Sequence, residues 1–193
     1  MNIELGREAV RAARLAAEAE TQGKAENPKF SNGFEEPTGV FVTISQYPSG
    51  DLRGCIGYPE PVLPLGQAIV SAARSACHDS RFSPLTLKEA EKCVFEVTIL
   101  THPKKIKFSS SEDLLKNIEI GRDGLILSYM GRRGLLLPQV PVEWGWDKEE
   151  YLSHLSVKAG LSQDTWKKEG VVIENFQGKI FAEESPKGEV IRK

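Results

Sequence analysis

Hydrophobic and polar positions along this chain follow two rhythms, and the switches between them mark its elements. Leu5, Ala9, Ala12, Ala13 and Ala16 recur at helical spacing with Arg and Glu between them. This predicts an amphipathic helix with a small-residue face, able to lie close against a sheet. Gly23 closes it, and Asn27-Pro28 through Pro37 reads as a loop. Val40, Val42 and Ile44 then alternate with Phe41, Thr43 and Ser45. After the turn Tyr47-Pro48-Ser49-Gly50, Leu52, Gly54 and Ile56 alternate with Asp51, Arg53 and Cys55. Two such runs about a short turn predict a β-hairpin. A period of two places Leu52 and Ile56 on one face as anchors and displays Arg53 and Cys55 together on the other.

The stretch from Val62 to Cys77 is apolar and alanine-rich nearly all round, which predicts a well-buried helix. Asp79 to Pro84 is a connection, and Thr86 with Glu89 three residues on makes a capping-box pattern that opens a short helix. Cys93 to Leu100 reads as a strand with Cys93, Phe95, Val97 and Ile99 on its apolar face. Thr101 to Ser111 is polar and basic, a boundary leading to a smaller lobe. Ile118 to Val140 holds short strands punctuated by glycines, with a hairpin tip at Met130-Gly131-Arg132-Arg133-Gly134. Asp147 and Glu150 cap a helix that runs to Ala159, with Gly160 as its C′ residue. Ser162 to Lys167 reads as a helical turn and Val171 to Phe181 as a final strand. The fold class is α/β, of the α+β kind.

Composition changes this picture little. Of 193 residues 40% are hydrophobic and 27% charged, ordinary for a globular chain. The net charge of −2 leaves no global field that would draw the chain to nucleic acid or an anionic membrane. Lys104, Lys105 and Lys107, and the pair Arg132-Arg133, are short basic clusters and read as solvated turns. RNA binding through them is the weakest of the functional readings. The segment from Met1 to Glu20 carries too many charges for a secretory or membrane-spanning segment. Three cysteines, an odd number, point to reduced thiols and a cytoplasmic location.

The chemistry candidates centre on Leu52-Arg53-Gly54-Cys55-Ile56-Gly57. A thiol reacts as thiolate, which a neighbouring guanidinium favours, and Arg53 at i−2 is the first such partner. Gly54 and Gly57 clear side chains on either side, so that a ligand or another backbone can come close. The blander alternative makes Cys55 a small buried hydrophobe. Cys77-His78-Asp79 resembles pieces of a triad or metal site, but neighbouring helical residues diverge by about 100°. Cys77 is therefore core filler and His78 a helix C-cap residue, while His102 and His154 take surface roles. No zinc spacing, phosphate loop or dinucleotide fingerprint is present, and no cofactor is implied. Asp79 and Arg81 could place a carboxylate and a guanidinium at the end of a buried helix. Glu143 is a further acidic candidate, with Trp144 and Trp146 as cleft walls.

Taken together, Leu-Arg-Gly-Cys-Ile-Gly at 52–57, Asp-Ser-Arg-Phe at 79–82 and Leu-Pro-Gln-Val-Pro-Val-Glu-Trp-Gly-Trp-Asp at 137–147 resemble the AMME-syndrome candidate protein family, and Lys-Ala-Gly at 158–160 also fits. The resemblance runs from about Val40 to Gly160. It implies a single two-lobed intracellular domain over 1–193: a larger lobe over 1–104 with a mostly antiparallel sheet and flanking helices, and a smaller lobe over about 105–145. Residues 146–193 would return to the larger lobe, with the cysteine motif lining a cleft between the two. Position by position it marks Arg53, Cys55, Asp79, Arg81 and Glu143, while His78 lies outside the pattern. Prokaryotic relatives often accompany a Memo-type protein and a radical-SAM protein, which implies a shared modification pathway. The leading expectation is a thiol-dependent enzyme or accessory, with Cys55 reacting, Arg53 beside it, and Glu143 or Asp79 as acid/base or orienting group. Gly54, Gly57, Asp79, Arg81 and Trp144 would bind a small ligand, peptide or protein. The rival is a non-catalytic binding module using the same cleft.

Overall fold

Small side chains decide where the first helix lies. The structure, a computed structural model, describes residues 2–193. Helix α1 (Ile3–Glu20) is capped by Asn2, whose side chain accepts from Leu5 N, and it buries Ala9, Ala12, Ala13, Ala16 and Ala17. Strands β1 (Val40–Gln46) and β2 (Leu52–Tyr58) form the predicted hairpin. Helix α2 (Leu65–Ala76) follows, then the capped turn α3 (Leu87–Ala90) and β3 (Cys93–Leu100). Burial along β3 alternates as its sequence does, with Phe95 and Val97 fully inside. Helix α2 buries Ala68, Ile69, Ala72 and Ala73, but Gln67, Val70, Ser71, Arg74 and Ser75 form a half-exposed stripe. The helix predicted to be buried all round thus has an outer face.

The chain divides into two units. The first comprises Met1–Leu100 and Lys179–Lys193. Its five-stranded sheet has the order β2-β1-β3-β8-β9, with β8 (Gly178–Glu183) and β9 (Val190–Arg192). Strand β1 pairs antiparallel with β2 and β3, and β8 with β9. Both α1 and α2 pack on this sheet and share one hydrophobic core with Val40, Val42, Ile44, Phe95 and Phe181. Inside that unit Arg14 of α1 is buried against Glu183 of β8 and donates to the carbonyls of Ala90 and Cys93.

The second unit is Thr101–Gly178. It contains β4 (Lys104–Lys105), α4 (Ser111–Lys116), β5 (Gly124–Tyr129), β6 (Arg132–Leu136), α5 (Gln139–Trp144), α6 (Lys148–Lys158), a 3-10 turn (Gln163–Lys167) and β7 (Val172–Phe176). Its antiparallel sheet has the order β4-β7-β5-β6. The core here is Leu114, Leu125, Leu127, Tyr151, Leu152, Leu155, Trp166 and Ile173. Asp147 and Glu150 make the predicted capping box of α6, and Gly160 follows its end in the left-handed region.

Several boundaries differ from expectation. The crossing to the second unit falls at Thr101 and the return at Lys179, against boundaries drawn at about 105 and 146. Residues 171–181, predicted as one strand, are two strands in different sheets. The polar segment 101–111, read as a boundary, contains β4 and leads into α4. The hairpin tip narrows to Met130-Gly131, both at positive φ, with Arg132 and Arg133 already in β6. Such a pair at positive φ suits a two-residue turn matched to strand twist. Among the described residues no helix is long and apolar enough to cross a membrane.

Candidate functional site

Strict alternation fails in β2, and the failure builds the site. Gln46 N donates to the Asp51 carbonyl, and Ser45 lies opposite Leu52, but Ile44 lies opposite Gly54. Arg53 is therefore the extra residue of a β-bulge, which bends a strand and re-aims a side chain. Its guanidinium turns inward: Nε and Nη2 reach the Glu89 carboxylate at 3.2–3.3 Å, and Nη2 donates to the Ser83 carbonyl at 2.9 Å. Arg53 is 5% exposed whereas Leu52 is 36% exposed. The expected display of Arg53 with Cys55, and Leu52 as an anchor, are both overturned; only Ile56 packs against the core as foreseen.

The same bulge shifts the register by one residue. Cys55 now faces Thr43, whereas an unbroken ladder counted from the turn would set Thr43 against Gly54. Gly54 faces the helices instead. A Cβ there would lie 2.3 Å from the Ala76 carbonyl oxygen, so a glycine is required for α2 to end so close to the strand. A Cβ on Gly57 would meet the Val40 carbonyl oxygen at 2.3 Å. Both glycines admit protein backbone.

β2 is an edge strand, and its outward polar groups are taken up by the segment after α2. Cys55 N donates to Asp79 Oδ2 at 2.9 Å. Asp79 Oδ1 accepts from the backbone N–H of Arg81 at 3.1 Å and from its Nε at 3.0 Å, and Asp79 Oδ2 takes Arg81 Nη2 at 2.7 Å. Arg81 Nη2 also approaches the Cys55 carbonyl at 3.5 Å. The Asp79 carboxyl is buried, and its fork of bonds from Arg81, with the Cys55 N–H, holds it well below the usual carboxylate range. Arg81 is held charged by the same pair, while about half of its side chain stays exposed.

With its N–H turned out of the ladder, Cys55 belongs to the kind of cross-strand pair whose side chains approach most closely. Thr43 Oγ1 lies 3.3 Å from Cys55 Sγ and donates to it. Glu96 is the next residue in the same row, opposite Thr43 on β3, and takes Lys193 Nζ at 2.7 Å. Cys55 is half-buried, whereas Cys77 and Cys93 lie in the core. Burial pushes the Cys77 thiol up to about 12 and raises that of Cys93. His78 is no cap: the C-cap of α2 is Cys77, and His78 Nε2 meets Glu20 Oε1 at 2.9 Å.

Of the sequence-predicted residues, Cys55, Asp79 and Arg81 come together, with Gly54 and Gly57 as packing positions and Arg53 beneath. Glu143 and Trp144 belong to α5 in the second unit, where both are exposed. Trp144 stacks on Trp146 at 6.1 Å between centroids, and Trp146 on His154 at 3.8 Å. Thr43 and Glu89 are the partners of Cys55 and Arg53 that sequence reasoning missed. Glu89 was legible as a cap, and it does accept from Thr86 N and Oγ1; its second role toward Arg53 depends on the bulge.

A model of the AMMECR1 family matches residues 3–181. The chain is 51% identical to Protein MJ0810 of Methanocaldococcus jannaschii over 195 aligned positions, covering 100% of this chain and 97% of that protein. It is 45% identical to Protein Ta0236 of Thermoplasma acidophilum, covering 98% of this chain and 93% of that one. The crystal structure of an uncharacterized protein from Pyrococcus horikoshii is similar, with a TM-score of 0.79 and 44% identity, over 98% of this chain and 97% of that one.

Proposed function

The chain belongs to the AMMECR1 family, and from that premise we propose that Cys55 is the reacting group of a thiol-dependent activity. The observation that carries this reading is the Thr43 hydroxyl donating to a half-buried Cys55 sulfur. A sulfur packed only among apolar atoms would have spoken for core filler. A hydroxyl donor stabilises negative charge on sulfur, and a nearby guanidinium adds to it. Arg81 rather than Arg53 is that guanidinium: its Nη2 lies 3.5 Å from the Cys55 carbonyl and about half of its side chain is exposed, whereas Arg53 is buried against Glu89 and the Ser83 carbonyl.

Asp79 works here as a positioning residue. Its carboxylate holds the Cys55 backbone with one oxygen and orients Arg81 with both. The exposed part of Arg81, which reaches the Cys55 backbone carbonyl, favours a substrate with an anionic group near the reacting atom. In cells that depend on this chain, Cys55→Ser should abolish function while the thermal transition moves by no more than a few degrees. Full complementation by Cys55→Ser, with loss on Trp144→Ala, would transfer the function to a binding surface.

A further inference from the structure

A groove of about 850 Å³ runs between the 27–35 loop and the outer stripe of α2, in the first unit and built from residues that the thiol site does not use. Its wall is fixed at both ends. At one end Leu65 N donates to the Glu36 carbonyl and Gly66 N to the Phe34 carbonyl, so the loop satisfies N–H groups at the start of α2. The Phe30 ring sits on Gly66, where a Cβ would lie 2.8 Å away, and packs 4.6 Å from the ring of Phe34. At the other end Arg74 Nη2 donates to the Glu26 carbonyl at 3.0 Å and to Asn27 Oδ1 at 3.1 Å.

The volume is that of a small-molecule site, with an aromatic and aliphatic wall on one part of the lining and polar side chains on the rest. Phe30, Phe34 and Val70 supply the wall, and the polar side chains include Gln67, Ser71, Glu35 and Arg74. Arg74 sets the sign of the ligand. Its Nη1 makes no hydrogen bond among the described residues, and a guanidinium can only donate. Two carboxylates stand near it: Glu35, in the same lining, accepts from Gly33 N at 2.7 Å, and Glu20 meets His78 through Oε1 at 2.9 Å and pairs through Oε2 with Arg74 Nε at 3.8 Å, which leaves Nη1 as the open end of the guanidinium.

We infer that this groove binds an anionic amphiphile of small-molecule size, its apolar body against Phe30, Phe34 and Val70 and its carboxylate-like or sulfonate-like head on Arg74. The full chain titrated with 1-anilinonaphthalene-8-sulfonate tests it by fluorescence. Saturable binding of one dye per chain is expected, at least tenfold weaker in Arg74→Gln and lost when Gln67→Trp or Val70→Trp fills the groove. Circular dichroism confirms that each variant is folded; Gln67 is exposed, so its variant decides should another fail to fold. The uncharged analogue N-phenyl-1-naphthylamine should bind at least tenfold more weakly than the sulfonate. Non-saturating dye binding, binding indifferent to both Arg74→Gln and the filling variants, or equal affinity for the uncharged analogue would overturn the inference.

Discussion

Thr43 and Cys55 face each other across two strands, and the hydroxyl that links them is the smallest change that could separate reactivity from stability. Thr43→Val keeps shape and strand propensity but removes the donor. It should slow alkylation of Cys55 at pH 7 several-fold while costing no more than about 1.5 kcal/mol, the usual worth of one hydrogen bond. Urea unfolding alongside the labelling rate checks both halves. Gly54 presents the opposite case. Gly54→Ala drives a methyl group into the backbone carbonyl of Ala76, and should cost about 2–3 kcal/mol with a fall in Tm of roughly 5–10 °C. The sequence marked Cys55 and both glycines as special through residue type alone. Thr43 was hidden because a threonine in a strand is ordinary until its partner is known.

At the scale of elements the bulge in β2 is the decisive feature. It buries Arg53, exposes Leu52 and sets Cys55 against Thr43. A bulge is a property of the register between two strands, so period-two counting along one strand could not contain it. β1, β3 and α6 were legible because each carries its own instructions: alternation in the strands, and an Asp–Glu capping box in the helix. α5 was not, since Pro138 and Pro141 look like loop residues. Pro141 sits in the first turn, where a missing N–H costs nothing, and Gly145 in the left-handed region ends the helix. The segment after α2 yields a pH prediction. The folded-state pKa of Asp79 is depressed, so the ionised form stabilises the fold. That contribution is complete above the unfolded carboxylate value of about 3.9 and is lost as the pH falls through the folded value. Denaturation followed downward from roughly pH 4 should show wild type losing stability faster than Asp79→Asn. Parallel curves would refute the clamp. Arg53→Ala leaves Glu89 and two carbonyls without their donor, and should cost about 1.5–3 kcal/mol, with amide exchange quickening over 79–89.

Across the whole molecule, the two sheets with their separate cores account for the mixed α/β character read from the sequence, while the second unit runs on to Gly178, where a return at about 146 was expected. The return to the first unit was missed because β7 and β8 are separated by Gln177 alone and read as one apolar run. Of the three free cysteines, one is half-buried and two lie in a core, so a thiol reagent should label one site per folded chain and three in denaturant. The rate of that single labelling bears most directly on Cys55 as a reacting thiol: iodoacetamide at pH 7, folded chain against unfolded chain, with peptide mapping. Folded Cys55 should react at least as fast as it does unfolded, and Arg81→Gln should slow it several-fold. Alkylation many-fold slower in the folded chain, and indifferent to Thr43→Val and Arg81→Gln, would contradict it.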